Sequence, residues 1–129
     1  VSIACSLAKQ KIKSLKIINR NIDKAYELTK KIKVIDKDLF VKVIEYKDNY
    51  LLNDDDIIIN TTSLGLHKDD KQPFDVNKTS SKAVIADIIM QPINTELLKQ
   101  AKNLGRSVHY GKYMIESQID LAGNFLELW

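Results

Sequence analysis

Two short polar segments carry side chains that could bind a phosphorylated ligand. Asn19-Arg20-Asn21 follows the apolar run 15–18, and Thr61-Thr62-Ser63 closely follows the isoleucine run 57–59. Arginine offers a permanently charged planar fork that suits phosphate, and hydroxyl groups can bond phosphate and sugar oxygens. Each apolar run is typical of a strand, and open α/β sheets bind their ligands at the carboxyl ends of the strands. The two segments therefore predict a ligand site at such an edge.

Arg20 suggests which dinucleotide such a site would take. In a dinucleotide-binding fold the end of the second strand meets the adenosine ribose, where an acid selects a free 2′-hydroxyl and an arginine accommodates a 2′-phosphate. Asn21 can cap the next helix, whose first N–H groups favour an anion. This pattern predicts NADP rather than NAD. The alternative is that Arg20 is a solvated charge after a strand and Asn21 an ordinary cap.

The elements that must position these residues follow from the spacing of apolar residues. A helix is expected from the first residue, followed by a helix over 22–33 and a third that Thr95 caps and that ends near 104, before Gly105. Strands are expected over 15–19, 40–46, 57–60, 83–87 and 107–110, with a turn at 53–56, a polar surface loop over 68–82 and a long terminal helix. This order predicts a doubly wound parallel α/β sheet.

Burial is expected where apolar residues recur at a regular period. The run 15–19 indicates a buried strand, and the apolar triplet 57–59 indicates a strand buried on both faces. The helix over 22–33 should pack on the sheet through one face, and the terminal helix should contribute mostly core residues. The residues on those faces are Ile22, Ala25, Tyr26, Leu28 and Ile32 in the first helix, and Met114, Gln118, Leu121, Phe125 and Trp129 in the last.

Length, composition and charge restrict the class of protein. The 129 residues are 44% hydrophobic and 29% charged, as expected of one α/β domain. Cys5 is the only cysteine, so no internal disulfide is possible, and no apolar run approaches a membrane span. The net charge of +3 is spread along the chain, without a basic arm for nucleic acid. We expect a cytoplasmic protein that binds neither nucleic acid nor a membrane.

Two other kinds of site have little support. His67 and His109 are far apart and have no carboxylate or cysteine at ligand spacing, so no metal site is predicted. Cys5 lies in an apolar helix, and Ser63 lies in a turn without a nucleophile elbow or an evident histidine partner. Nucleophilic catalysis is therefore not predicted.

Four motifs in their order resemble the shikimate/quinate dehydrogenase family. They are Asn19-Arg-Asn-Ile-Asp-Lys-Ala25, Ile58-Ile-Asn-Thr-Thr-Ser-Leu-Gly65, Asp87-Ile-Ile-Met-Gln-Pro92 with Thr95, and Gly111-Lys-Tyr-Met-Ile-Glu-Ser-Gln118. The resemblance covers essentially the whole chain. It implies a Rossmann-like NADP-binding domain over 1–129 and the NADP-dependent, reversible reduction of 3-dehydroshikimate to shikimate, in chorismate and aromatic amino-acid biosynthesis.

The resemblance also assigns residues to the cofactor and the substrate. Gln118 matches a residue that hydrogen-bonds the substrate hydroxyls, although a helix-capping or buried structural amide is the alternative. Thr61, Thr62 and Ser63 match a loop beside the cofactor, although a Ser/Thr-rich turn is an equal reading of the sequence alone. The residues matching cofactor positions are Asn19, Arg20, Asn21, Lys24, Thr61, Thr62, Ser63, Ile88, Gly111 and Met114.

The chain departs from the family pattern at three points. Met90 replaces a tyrosine that contacts the substrate and cannot donate that hydrogen bond. Tyr113 replaces a glycine, which would narrow the nicotinamide pocket, and Phe125 and Trp129 lie further from Gln118 than the usual aromatic pair. No residue matches the Lys–Asp proton-transfer pair of the family, so no catalytic residue is assigned. The alternatives are a quinate/shikimate dehydrogenase using NAD, or a truncated, non-catalytic nucleotide-binding module.

The first residues suggest that a further N-terminal portion belongs to this domain. Val1 begins an apolar helix without a capping signal, and by the resemblance the first strand, the glycine-rich loop and a substrate domain would precede it. The terminal helix 112–129 would then reach toward that substrate domain. The chain could also pair with a second copy of itself to form a homodimer.

We therefore expect the isolated 129-residue chain to be unstable. The expected first strand is central in the usual strand order 3-2-1-4-5-6, and without it two half-sheets share no partner. Scanning calorimetry checks this expectation. Cooperative unfolding with an enthalpy normal for the chain length would contradict it.

Overall fold

The computed structural model describes residues 1–47 and 51–127. The chain divides into two compact units, Val1–Asp48 and Asn49–Trp129, each of which has its own sheet and core. All described strand pairs are parallel, which confirms the predicted α/β class with parallel strands.

The first unit is a β-α-β unit preceded by a helix. Its elements are α1 (Ser2–Lys9), β1 (Ser14–Asn19), α2 (Ile22–Ile35) and β2 (Phe40–Glu45). β1 and β2 pair in parallel from Ser14↔Phe40 to Asn19↔Glu45. Val1 precedes α1 without a side-chain cap, whereas Asn21 caps α2 as predicted.

The core of the first unit lies between its two helices and its sheet. Its buried residues are Ala8, Ile17, Ala25, Ile32 and Leu39. The predicted burial along one face of α2 is confirmed at Ala25 and Ile32. It is wrong at Tyr26, which is 54% exposed, and at Ile22. The strand β1 is buried only at Ile17. In this two-stranded sheet β1 pairs only with β2, so its other edge has no strand neighbour.

The second unit contains a three-stranded sheet in the order β3-β4-β5. Its elements are β3 (Ile57–Asn60), a short 3₁₀ helix (Val76–Lys78), β4 (Val84–Asp87), α3 (Glu96–Asn103), β5 (Ser107–His109) and α4 (Lys112–Phe125). Thr95 caps α3 as predicted. The 3₁₀ helix inside the predicted loop was missed, although Asp75 supplies its cap by accepting the Asn77 N–H.

The core of the second unit forms where α3 and the 3₁₀ helix pack on the sheet. Its buried residues are Val76, Ala83, Ile85, Leu97, Leu98 and Ala101. The expectation that β3 is buried on both faces is wrong at Ile57, which is 56% exposed. β3 pairs only with β4 in this sheet, so it is an edge strand, and Ile57 is its first residue.

The terminal helix α4 is the largest departure from the expected core. Leu121 is 70% exposed and Phe125 is 85% exposed, and Gly123 is the buried residue of the helix. Met114 is half-buried, Gln118 is exposed, and Trp129 lies outside the described residues. Periodicity finds an apolar face, but burial also requires an element packed against that face.

Among the described residues, no helix is long and apolar enough to cross a membrane.

Candidate functional site

In the first unit, the junction of β1 and α2 is built by two asparagines. Asn19 ends β1, and its Oδ1 accepts the N–H of Asn21 at 2.9 Å. The Oδ1 of Asn21 in turn accepts the N–H of Lys24 at 3.1 Å, which caps α2. Both side chains therefore fix the turn that carries Arg20.

Arg20 and Lys24 place two cations at the positive end of the α2 dipole. Both side chains are exposed, and neither has a hydrogen bond or ion pair within the described ranges 1–47 and 51–127. The helix N-terminus adds a partial positive charge at the same place. Asn21 occupies the Lys24 N–H, so side-chain charge and the dipole, rather than that amide, remain to attract an anion.

In the second unit, a cleft of about 440 Å³ opens where β3 and β4 end. Its lining residues come from two segments, Thr61, Thr62, Ser63 and Leu66 after β3, and Ile88, Ile89, Met90 and Gln91 after β4. One wall is rich in hydroxyls and the other is mostly apolar. The structure therefore brings five predicted site residues together: Thr61, Thr62, Ser63, Ile88 and Met90.

The hydroxyl-bearing wall is supported by hydrogen bonds to the side chain of Asn60, which is 3% exposed. The Asn60 Oδ1 accepts the Thr62 N–H at 3.1 Å and the Thr62 hydroxyl at 2.7 Å. The Asn60 amide nitrogen donates to the Leu64 carbonyl at 3.0 Å. The Thr61–Ser63 segment is thus a Ser/Thr-rich turn, one of the two readings of the sequence, and it also lines the cleft.

A second turn closes the same loop around Asp70. One oxygen of the Asp70 carboxylate accepts the N–H groups of Gly65 at 3.1 Å and His67 at 2.9 Å. The hydrogen bond from the His67 N–H is the main cause that lowers the pKa of Asp70. Gly65 has φ +99°, a conformation that residues with a Cβ rarely adopt. Glycine at this position lets the chain reverse beside Leu66, which lines the cleft.

Beneath the apolar wall lies a buried carboxylate. Asp87 ends β4 and is only 2% exposed. Its Oδ1 accepts the Ile89 N–H at 3.1 Å and the Asn60 amide at 3.2 Å, and its Oδ2 accepts the Thr95 hydroxyl at 2.8 Å. Burial raises the pKa of Asp87 above its ordinary value, and the hydrogen bonds from Ile89, Thr95 and Asn60 oppose that rise.

The raised pKa of Asp87 predicts a specific pH dependence of stability. Between the ordinary value of 3.8 and the raised value, the folded chain binds more protons at this group than the unfolded chain does. The contribution of Asp87 to the free energy of unfolding therefore falls as pH rises through that interval and is level above it.

Urea unfolding of the full gene product at several pH values, for the wild type and for Asp87→Asn, checks this sign. The stability difference, wild type minus Asp87→Asn, should decrease from acid to neutral pH. A difference that grows with pH would show that the hydrogen bonds outweigh burial and lower the pKa. The comparison removes the opposite contributions of Asp70 and Asp75, whose pKa values are lowered.

Gly111 lets the start of α4 pass directly over the apolar wall. A Cβ at Gly111 would lie 2.6 Å from the carbonyl carbon and oxygen of Ile88 and 2.6 Å from the Ile89 oxygen. The glycine is thus required by the backbone of the cleft wall itself. Met114, half-buried in the first turn of α4, donates its N–H to the Gly111 carbonyl at 3.1 Å.

Two further predicted residues of α4 lie away from the cleft lining. Gln118 is exposed, which excludes the alternative of a buried structural amide. The Tyr113 ring lies tilted against the His109 ring, with 5.3 Å between the ring centroids, and the Lys112 ammonium lies 5.0 Å from the centroid of the Tyr113 ring. Tyr113 is not among the residues that line the cleft.

The sequence analysis assigned no role in the site to the residues that support the cleft rather than line it. They are Asn60, Gly65, Asp70, Asp87 and Thr95, together with the lining residues Leu66, Ile89 and Gln91. The sequence contains a signal for two of these residues, because Asn60 and Asp87 are polar residues that directly end two apolar strands. Within the ranges 1–47 and 51–127, no group of three His, Cys, Asp or Glu side chains could hold a metal ion.

Known proteins are similar to this chain along nearly its whole length. No protein-family model matches the chain. It is 34% identical over 128 residues to the shikimate dehydrogenase (NADP(+)) of Nitrosopumilus maritimus (strain SCM1), a match that covers 99% of this chain and 45% of that protein. Other curated relatives, at 30% to 36% identity, carry the same name. The chain spans less than half the length of these relatives.

Solved structures agree on the fold. A 5-ketofructose reductase of Gluconobacter sp. strain CHM43 matches with a TM-score of 0.76 and 28% identity, over 85% of this chain and 40% of that one. A shikimate dehydrogenase in complex with NADP⁺ matches with a TM-score of 0.69 and 27% identity, over 85% and 39%. These matches confirm the predicted Rossmann-like class. Over nearly its whole length, this chain is therefore a homologue of the shikimate dehydrogenases and corresponds to less than half of their length.

Proposed function

We propose that this chain is the NADP-binding part of a shikimate dehydrogenase, which reversibly reduces 3-dehydroshikimate to shikimate in aromatic amino-acid biosynthesis. The observation that carries the proposal is the match over 99% of the chain to a relative named shikimate dehydrogenase (NADP(+)). The exposed Arg20 at the N-terminus of α2 supports the choice of NADP, because a guanidinium pairs with a 2′-phosphate.

Each unit, taken by itself, contains residues that fit one part of this cofactor. In the first unit, Arg20 and Lys24 would hold the 2′-phosphate, and Asn19 and Asn21 fix the turn that presents them. In the second unit, the hydroxyls of Thr61 and Ser63 would bond phosphate or ribose oxygens from one wall of the cleft.

The apolar wall of the cleft suits the nicotinamide end of the cofactor. NADPH supplies the hydride in such reactions, and the protein orients the ring against the substrate. Ile88 would support the ring, and Gly111 allows the close approach of α4 to the backbone of this wall. Met114, which is outside the cleft lining, would lie one turn further along the cofactor. Met90 and Gln118 are the proposed substrate contacts, and Met90 is 39% exposed in the cleft lining.

The experiment is a titration of the full gene product with NADPH and NADH, followed by an assay of 3-dehydroshikimate reduction. Preferential NADPH binding with activity is the expected result. Preference for NADH with activity on quinate would favour the quinate dehydrogenase alternative, and binding without activity on either substrate would favour the non-catalytic module.

The proposal extends to organisation and location. The domain 1–129 would bind the cofactor, and α4, the described part of the predicted helix 112–129, would reach toward an N-terminal substrate domain that supplies the proton-transfer pair. A homodimer in the cytoplasm is the proposed setting. Sequencing the gene upstream of the Val1 codon tests this organisation, because a Lys–Asp pair and a glycine-rich loop in frame would support it.

A further inference from the structure

We propose that Asp87 is a positioning residue that, through Asn60 and Thr95, holds both walls of the cleft in place for the nicotinamide dinucleotide. This inference rests on the proposed function for the identity of the ligand. The network itself is a property of the second unit and lies beneath the cleft rather than in its lining.

The carboxylate joins the two walls because it sits at the end of β4 directly beside the end of β3. Asn60 and Asp87 are register partners, and the Asn60 amide donates to Asp87 at 3.2 Å. The Ile89 N–H donates to the same carboxylate at 3.1 Å. One wall therefore connects to Asp87 through Asn60, and the other connects to it through its own backbone.

An ionised carboxylate only accepts hydrogen bonds, and this fixes the orientation of the Asn60 amide. Its nitrogen must face Asp87, so its oxygen faces Thr62 and accepts both the N–H and the hydroxyl of that residue. The Thr62 hydroxyl proton is thus directed inward, and its oxygen accepts the Leu64 N–H at 3.1 Å. Thr62 consequently shapes the wall, while Thr61 and Ser63 keep hydroxyl protons for a ligand.

Thr95 attaches this network to the rigid core. Its side chain is fully buried, its hydroxyl donates to Asp87 at 2.8 Å, and its oxygen caps α3 by accepting the Leu98 N–H. α3 packs on β4 and β5 through Leu97, Leu98 and Ala101. The carboxylate is therefore held from the helix side as well as from the sheet.

Thr79 provides a matched control within the same unit. It is 5% exposed, its hydroxyl donates to the Val76 carbonyl at 2.7 Å, and it accepts from Arg106 at 3.3 Å. It does not line the cleft. Thr79→Val and Thr95→Val each remove one buried hydroxyl at almost constant volume, but only the second removes a donor to Asp87.

The experiment compares Asp87→Asn, Thr95→Val, Thr95→Ser and Thr79→Val in the full gene product. Asp87→Asn and Thr95→Val should weaken NADPH binding about tenfold, because small displacements of positioned groups have large effects. Both should also speed hydrogen exchange in the peptides spanning 60–66 and 88–91. Thr95→Ser should restore wild-type binding, and Thr79→Val should lower the Tm without changing the affinity or this exchange.

The positioning role is wrong if Asp87→Asn and Thr95→Val lower the Tm as Thr79→Val does but leave affinity and exchange at wild-type values. If the wild type binds neither NADPH nor NADH, the proposed function fails. The exchange data then decide the positioning role on their own, because they require no ligand.

Discussion

Arg20→Asp in the full gene product is expected to weaken NADPH binding about 100-fold, since it replaces charged hydrogen bonds to a phosphate by repulsion. NADH lacks the 2′-phosphate, so its dissociation constant should change by no more than about threefold, the scale of an exposed charge effect. Isothermal titration or quenching of intrinsic fluorescence with both dinucleotides measures the two constants. Equal losses for NADPH and NADH would remove the 2′-phosphate role from Arg20.

Two companion variants sharpen that result. Arg20→Lys keeps the charge but loses the planar fork, so its NADPH affinity should fall between those of the wild type and Arg20→Asp. Lys37→Asp makes the same change in net charge at an exposed position beyond the other end of α2. It should leave the NADPH affinity close to wild type, and a large loss there would indicate a general electrostatic effect.

In the full gene product, Gly111→Ala is expected to lower the free energy of unfolding by about 3 kcal/mol or more, the upper range for overpacking. The added Cβ would lie 2.6 Å from backbone atoms of Ile88 and Ile89, and backbone atoms yield less readily than side-chain ends. Gly111 has an ordinary helical conformation, with φ −58° and ψ −30°. Without the clash, alanine would therefore be neutral or stabilising there, and urea unfolding that shows such a result would contradict the close approach.

Gly105→Ala separates steric from conformational effects. Gly105 has φ +76° and nothing within 4 Å of the position of an added Cβ. Its substitution by alanine should lower the free energy of unfolding by only about 1 kcal/mol, the typical strain of a left-handed residue.

Gly111→Ala should also weaken dinucleotide binding, because Ile88 would be displaced in the cleft wall. Gly105→Ala should leave dinucleotide binding unchanged.

The elements of this fold could be predicted because each is encoded over a short range. Asn21 and Thr95 are strong capping residues, and both cap the helices that they were expected to begin. The strands of both units were placed to within about one residue for the same reason, since apolar runs bounded by polar residues mark them. The 3₁₀ helix was missed because its single turn has no apolar period to detect.

Burial could be predicted only where the partner element was known. Ala25 and Ile32 meet a sheet, whereas Tyr26 lies on the same helix and is exposed. Phe125 satisfies the helical period of α4 and is still 85% exposed. Sequence periodicity specifies a face, but tertiary packing decides whether that face is covered.

The candidate site was predictable to the extent that strand ends reveal it. Thr61, Ser63 and Ile88 line the cleft because the residues after parallel strands collect at one edge of a sheet. The roles of Asn60 and Asp87 depend on their being opposite one another across two strands that are 27 residues apart in sequence. That pairing depends on strand register, which cannot be read from a single sequence.

The same pair also selects one strand alignment among several. β3 is Ile57-Ile58-Ile59 before Asn60, and β4 is Val84-Ile85-Ala86 before Asp87, so a slide of two residues would keep every aliphatic side chain on its face. In one such slide Asp87 would lie opposite Ile58, with a buried carboxylate deprived of its amide partner, at a cost of several kcal/mol. Asn60 and Asp87 thereby add a polar preference for the observed register to the preference of the aliphatic pairs.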